Sequence, residues 1–264
     1  MRGRFCSTRV LRVRLGVVAV LVMSGGPAAA AELNVLAAGA VEAVLREMAS
    51  AFEKERGIAL KIAYAPVGAL RDKIYAGEPA DVTIVTPVII EQLQGKNLVR
   101  TETRQDLGSV GGGIAVKKGA PRPAVNTPEE LKQALLAAEE VYTADPKIAT
   151  AGQYLLKVAD QLGVGEEVRK KLRTVGGGKV SMEAMANAPS DKVIGLTQVS
   201  EILSVPAVDL IGPYPGNLQS KTTYTAIILA GTGRLEQAQA FLRFLMSAPV
   251  QARFKQQGYE PPAR

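Results

Sequence analysis

Little in this sequence offers covalent side-chain chemistry. Its 264 residues contain no histidine and no tryptophan, and the single cysteine is Cys6. The usual nucleophile–base arrangements and the soft metal-ligand sets are therefore missing, and no paired carboxylates recur at a spacing that demands catalysis. What remains is chemistry the backbone can do. Residues 35–46 read VLAAGAVEAVLR, where an apolar run meets Ala38, Gly39 and Ala40 and a helical pattern begins at once. No Ser, Thr, Asp or Asn stands before Val41 to cap that helix. The first turn of a helix has N–H groups without intrahelical partners, and its end carries about half a positive charge. An uncapped start of this kind predicts an anion in front of it. A second stretch, GGG at 176–178, precedes a helix start at Val180. It reads either as an amide nest for an anion or as a flexible loop.

The elements that must position these amides alternate along the chain. A strand over 33–37 leads into a helix from Ala40 to about Arg56, with Val41, Val44, Leu45, Met48 and Phe52 on one face and Gly57 ending it. Strands at 59–64 and 81–85 bracket a helix over 69–76. A second block comes next, with strands at 113–116, 141–143 and 193–197 and helices at 127–138, 150–162 and 166–172. Thr127 suits the cap of its helix, with Pro128 at the first position. The chain ends in a strand at 222–229 and helices at 235–246 and 249–257. Such alternation predicts an α/β fold of two lobes, each built on a mixed, mostly parallel sheet. The glycine cluster at 108–113 (GSVGGG) is the predicted first crossing between lobes, and a second lies near Lys221. The expected division is a first lobe of 32–107 plus 222–264 and a second of 108–221. Two lobes joined by two crossings suggest a hinged binding protein that closes on a ligand.

The opening residues read as an address. Arg2, Arg4, Arg9, Arg12 and Arg14 precede a nine-residue apolar core at 15–23 (LGVVAVLVM), and small residues then run up to Ala31. Nine is far short of the roughly 20 residues needed to span a bilayer, so 1–31 is expected to be a cleavable signal peptide and the protein periplasmic. The full chain has 32 basic and 25 acidic side chains, a net of +7. The leader carries five arginines and no acid, so the chain behind it holds 27 basic against 25 acidic groups, a net of +2. The basic balance is thus a property of the leader and gives no nucleic-acid reading. Cys6 leaves with the leader and is not at the cleavage point.

Four stretches carry a family resemblance: VLAAGAVEAVLREMASAFEKERGI, YAGEPADVTIV, TADPKIATAGQYLLKVADQLG and VIGLTQVSEI. In this order they resemble the periplasmic molybdate-binding proteins of ABC importers, and the wider group of type 2 periplasmic binding proteins. The resemblance covers essentially all of the chain behind the leader. It implies a small anion held by backbone N–H groups at helix starts together with hydroxyls, a permease in the inner membrane as partner, and no cofactor. A monomer suits a protein that must close and dock, and with His and Cys missing behind the leader no enzymatic activity is expected. An enzyme or a sensory domain on the same two-lobed fold is the alternative.

Carried over position by position, the family's contacts change character. Ala40, beside Gly39, stands where the family has its first serine. Val67 or Gly68 stands at the second, and Gln198 at the tyrosine. The backbone contacts fall near Ala151 and Val180. All three side-chain hydroxyls are absent. Each charge-assisted hydrogen bond lost to a buried anion costs about 1.5–3 kcal/mol, so the change implies replacement donors or a different ligand. Arg71, in the first turn of the second helix, is a candidate for a carboxylate, against a solvent-facing arginine. Gln198 offers an amide donor. Thr150 and Ser181 offer hydroxyls at helix starts, against plain capping roles. A small di- or tricarboxylate is the preferred ligand, with an oxyanion such as molybdate beside it.

Overall fold

The computed structural model describes Met1, Gly3 and residues 31–262. The basic and apolar parts of the expected leader lie outside the described residues.

Strand β1 (Ala31–Ala38) pairs in parallel with β2 (Ile58–Ala65) and β3 (Val82–Val85), with α1 (Glu42–Arg56) and α2 (Val67–Tyr75) as the crossovers. A single 3-10 turn, Gly39–Val41, joins β1 to α1. Helix α1 forms because Val44, Leu45 and Phe52 share one buried stripe, and it stops at Gly57, whose φ of 66° is the left-handed cap. Phe52 meets Phe241 and Phe244 of α9 (Leu235–Leu245) with ring centroids 5.2 and 5.1 Å apart. That aromatic cluster binds a late helix to the first sheet, and removing Phe52 would cost about 3–5 kcal/mol.

The antiparallel centre of the molecule is one long strand. Strand β4 (Gln105–Lys117) pairs through its first part with β9 (Lys221–Ile228) and β10 (Tyr259–Glu260). Through Gly112 onward it pairs with β7 (Val193–Gln198) and β8 (Val208–Pro213). Strand β9 closes against β3, while β7 continues in parallel to β5 (Glu140–Thr143), which pairs with β6 (Leu172–Thr174). The chain thus passes from one set of strands to the other inside β4 and again on the way from β8 to β9. Each set carries its own apolar core, one around Leu33, Val41, Ile84 and Phe241, the other around Ile114, Leu131, Leu155 and Leu196. The remaining helices are α3 (Pro87–Gln94), α4 (Pro128–Ala137), α5 (Thr150–Gln161), α6 (Gly165–Lys170), α7 (Gly178–Ala186), α8 (Val199–Leu203) and α10 (Ala248–Gln256).

The glycines at 108–113 play two different parts. Gly108, at a bulge in β4, has φ 145°, a conformation that side chains avoid. Gly112 and Gly113 are instead places of close approach. A Cβ on Gly112 would run into the Tyr214 ring, and one on Gly113 would lie 2.9 Å from Ile202 and Leu210. Their small size lets the layers close where β4 passes from one set of strands to the other.

Candidate functional site

Four helix starts border one cavity of about 260 Å³ between the two sets of strands. They are the 3-10 turn ahead of α1 (Gly39, Ala40), the start of α2 (Val67), that of α5 (Thr150, Ala151) and that of α7 (Gly178, Lys179, Val180). The residues flanking these starts, Ala38, Pro66, Ala149 and Gly177, make no side-chain cap hydrogen bond. Ala, Pro and Gly side chains have no acceptor atom to offer, so no local cap serves these starts. Gly68 N–H finds the Ile148 carbonyl and Gly178 N–H the Glu201 carboxyl, and the neighbouring amides have no partner within their helices. The local sequence leaves the amides open, and the topology brings them together.

Of the residues expected at the site, Gly39, Ala40, Val67, Thr150, Ala151, Val180 and Gln198 line this cavity. Gly68 does not. Its N–H donates to the Ile148 carbonyl at 3.0 Å, and a Cβ there would lie 2.9 Å from the same oxygen, so Gly68 ties α2 to the loop before α5. Arg71 borders a neighbouring hollow on the other side of α2, where it pairs with Asp72 at 2.7 Å and reaches Gln92 at 3.4 Å. The Ser181 hydroxyl is turned inward. Its single proton lies among the carbonyls of Thr143, Val175 and Gly177, at 2.8, 2.8 and 3.0 Å from the oxygen, and the residue is fully buried. The amide of Gln198, though beside the cavity, is engaged with the strands behind it: with its oxygen on the Thr222 hydroxyl at 2.9 Å, its nitrogen donates to Gly111 at 3.1 Å and Val110 at 3.3 Å.

Several cavity residues are not legible as a motif. Glu42, in the first turn of α1, accepts from Arg46 at 2.7 Å and from Lys179 of α7 at 3.0 Å, which links the two sides of the cavity. Burial alone would raise its carboxyl, but the hydrogen bonds from Arg46 and Lys179 outweigh that and hold it below its ordinary value. Tyr64, on β2, borders the cavity with Arg46 5.1 Å over its ring, and burial pushes its hydroxyl up to about 12, so it stays protonated. Tyr224, from β9, is buried at the back, and its hydroxyl is likewise driven well above its usual value by burial.

The most unusual group is Glu201. Its side chain belongs to α8 and turns back into the cavity wall, 7% exposed. It accepts from the Thr197 hydroxyl at 2.5 Å, from Gly178 N–H at 3.2 Å and from Gln198 N–H at 3.4 Å. One carboxylate oxygen lies 3.5 Å from where a Cβ on Gly39 would be. No cation is among these partners. Burial therefore wins over the three hydrogen bonds and drives the carboxyl above the usual range. A buried carboxyl with raised proton affinity and no counter-ion, set among open amides, is placed to take up and return a proton.

A family model described as bacterial extracellular solute-binding protein matches residues 33–260. A protein of Pseudomonas sp. named aconitate isomerase is 29% identical over 251 residues, covering 91% of this chain and 94% of that one. The molybdate-binding protein of Escherichia coli (strain K12) is 23% identical over 236 residues, covering 86% and 88%. Among solved structures, the periplasmic molybdate-binding protein of Azotobacter vinelandii superposes with a TM-score of 0.74 at 19% identity, covering 88% of this chain and 100% of that one. The sulfate-binding protein SubI of Mycobacterium tuberculosis H37Rv gives 0.72 at 16% identity, covering 88% and 87%. The fold is shared with these periplasmic binding proteins. The expectation of no enzymatic activity is corrected by the Pseudomonas relative, which bears an enzyme's name. That expectation rested on missing His and Cys, and it overlooked the carboxyls of Glu42 and Glu201, which face one cavity from distant parts of the chain.

Proposed function

The chain belongs to the bacterial extracellular solute-binding protein family, and from that premise we propose that it is an exported protein whose cavity takes a small polycarboxylate of the aconitate kind. The observation that carries this reading is the mixed lining of the cavity: open helix amides and Lys179 beside a cation-free Glu201 carboxyl. Amides and the ammonium attract a carboxylate, and Glu201, whose proton affinity burial raises, opposes one less than an ordinary carboxylate would. The positions where the resembled family has hydroxyls for a tetrahedral oxyanion hold Ala40, Val67 and Gln198. A volume of about 260 Å³ is room for roughly nine water molecules at about 30 Å³ each. That exceeds what one compact oxyanion fills. The name of the Pseudomonas relative supports the same ligand class.

That relative also supports an activity on the bound ligand, the interconversion of double-bond isomers. Delivery to an ABC importer permease and location in the periplasm belong to the same proposal, supported by the family's extracellular description. Among the described residues no helix is long and apolar enough to cross a membrane.

Isothermal titration with aconitate isomers, other di- and tricarboxylates, molybdate, tungstate and sulfate tests the ligand. Polycarboxylate binding at micromolar strength or better, about −8 kcal/mol, is the expected result. Tight molybdate binding with no response to any polycarboxylate overturns it. Proton NMR of each isomer incubated with the protein tests the activity.

A further inference from the structure

We propose that Glu201 is the catalytic acid–base group of this cavity, the one carboxyl that removes a proton from a bound unsaturated polycarboxylate and returns it two carbons away. This rests on the polycarboxylate reading above and adds the residue and the step.

Three carboxyl residues border the cavity; Glu183 of α7 is exposed, and placement separates the roles of the other two, Glu42 and Glu201. Glu42 is gripped by Arg46 and Lys179, so its charge is neutralised and its basicity spent. Glu201 receives only two backbone N–H groups and one hydroxyl. A proton-transfer group works best when its affinity for the proton is near that of the medium, which burial without a counter-ion favours. The three donors also fix its orientation: Thr197 holds one oxygen, and the other lies between Gly178 and Gly39, where two helix starts meet.

In the proposed step, ionised Glu201 takes a proton from the methylene carbon next to a ligand carboxylate. The freed electron pair becomes the new double bond, the old double-bond pair moves to the far allylic carbon, and that carbon takes the proton back from Glu201. One C–H bond breaks and one forms, and nothing is oxidised or consumed. The negative charge that passes along the three carbons is met by the amides at the starts of α1 and α7.

The groups facing Glu201 from the packed elements are Glu42 of α1, with Lys179 of α7 bonded to it, Tyr224 of β9 and Tyr259 of β10. Neither tyrosine ionises in the working range, so a single rising limb in kcat/KM against pH is expected as Glu201 loses its proton.

The test compares wild type, Glu201→Gln and Glu201→Asp by proton NMR of isomer interconversion and by calorimetry with the same polycarboxylate. Glu201→Gln is expected to lower interconversion about 100-fold or more while its Kd stays within about 10-fold. Glu201→Asp, which keeps the titrating group, is expected to recover part of the rate and the rising pH limb. Glu201→Gln interconverting at the wild-type rate overturns the proposal. So does a wild type that binds the polycarboxylate and leaves its double bond in place, a result under which the ligand reading stands. A wild type that binds no polycarboxylate removes both.

Discussion

Helices α4 and α7 begin in opposite ways. At the start of α4, the Thr127 hydroxyl accepts from Glu130 N–H at 3.1 Å, and the Glu130 carboxylate accepts from Thr127 N–H at 3.2 Å and Asn126 N–H at 2.7 Å. Side chains serve three N–H groups around this start in a reciprocal box. At the start of α7, Gly177 has no side chain to offer. The first N–H of the helix goes to Glu201, and the next two, on Lys179 and Val180, have no partner within the helix and border the cavity. The first arrangement spends its polar groups on stability. The second leaves amides open beside the cavity, as do Val67 at the start of α2 and Thr150 and Ala151 at that of α5. This contrast separates a helix start that serves stability from the kind the proposed binding needs.

The largest effect is expected from filling the binding start itself. A Cβ at Gly178 would collide with the carboxylate of Glu201 and the hydroxyl of Thr197. Gly178→Ala must displace Glu201 or move α7. Overpacking of this kind costs about 1–3 kcal/mol of stability, and ligand affinity should fall at least about 100-fold, or about 2.7 kcal/mol. Thermal melting and calorimetry on one preparation measure both. A variant that binds like wild type would place the ligand away from α7.

Lys179→Met comes next. The pair it forms with Glu42 is partly exposed, so its share of stability is at most about 1 kcal/mol. Its share of binding should be larger. A lost charge-assisted hydrogen bond to the ligand costs about 1.5–3 kcal/mol, which is roughly 10- to 150-fold in Kd. Added salt should weaken the wild type more than the variant. An equal salt dependence would show that Lys179 serves only Glu42.

The sequence carried the capped start openly and the binding starts only in outline. Thr127, Pro128 and Glu130 make a local pattern whose partners are three residues apart, and its helix forms as Pro128–Ala137. Gly57 was readable for the same reason. Strand β8 (Val208–Pro213) and helix α3 (Pro87–Gln94) went unread because they are short; β8 is mostly half-buried, while in α3 Ile89, Ile90 and Leu93 do share one buried helical face. The length of β4 was hidden by its glycines, which read as a junction alone, whereas the strand runs on through them with Tyr214, Ile202 and Leu210 packed close by. At the cavity, the amide-bearing positions were legible from a resemblance in order and spacing. Glu42, Lys179 and Glu201 were not, since a charged residue on an amphipathic helix ordinarily faces water. Only the packing of α1, α7 and α8 around one hollow changes that. Arg71 shows the converse: one turn into a helix near the cavity, it points to Asp72 and Gln92 instead.

Thr127→Ala probes the structural side of the contrast. It removes the acceptor for Glu130 N–H and should cost about 1 kcal/mol. For a chain of this size that lowers Tm by about 2–4 °C, with Kd for any ligand unchanged. A change in affinity would mean that α4 communicates with the cavity.

The finest test turns a binding start into a structural one. Ala149 flanks α5 with φ −122° and ψ 132°, a backbone conformation that suits a capping serine. In Ala149→Ser the new hydroxyl can accept from the N–H of Ala151 or Gly152, which the helix itself leaves unpaired. The free protein should gain about 0.5–1 kcal/mol, raising Tm by about 1–4 °C. If the ligand uses those same amides, it must now displace the hydroxyl, and affinity should fall by roughly the same free energy, about two- to fivefold. Stability and binding then move in opposite directions from one added oxygen atom. A rise in Tm with no loss of affinity would mean that the α5 amides never meet the ligand, and α5 would pass to the structural class with α4.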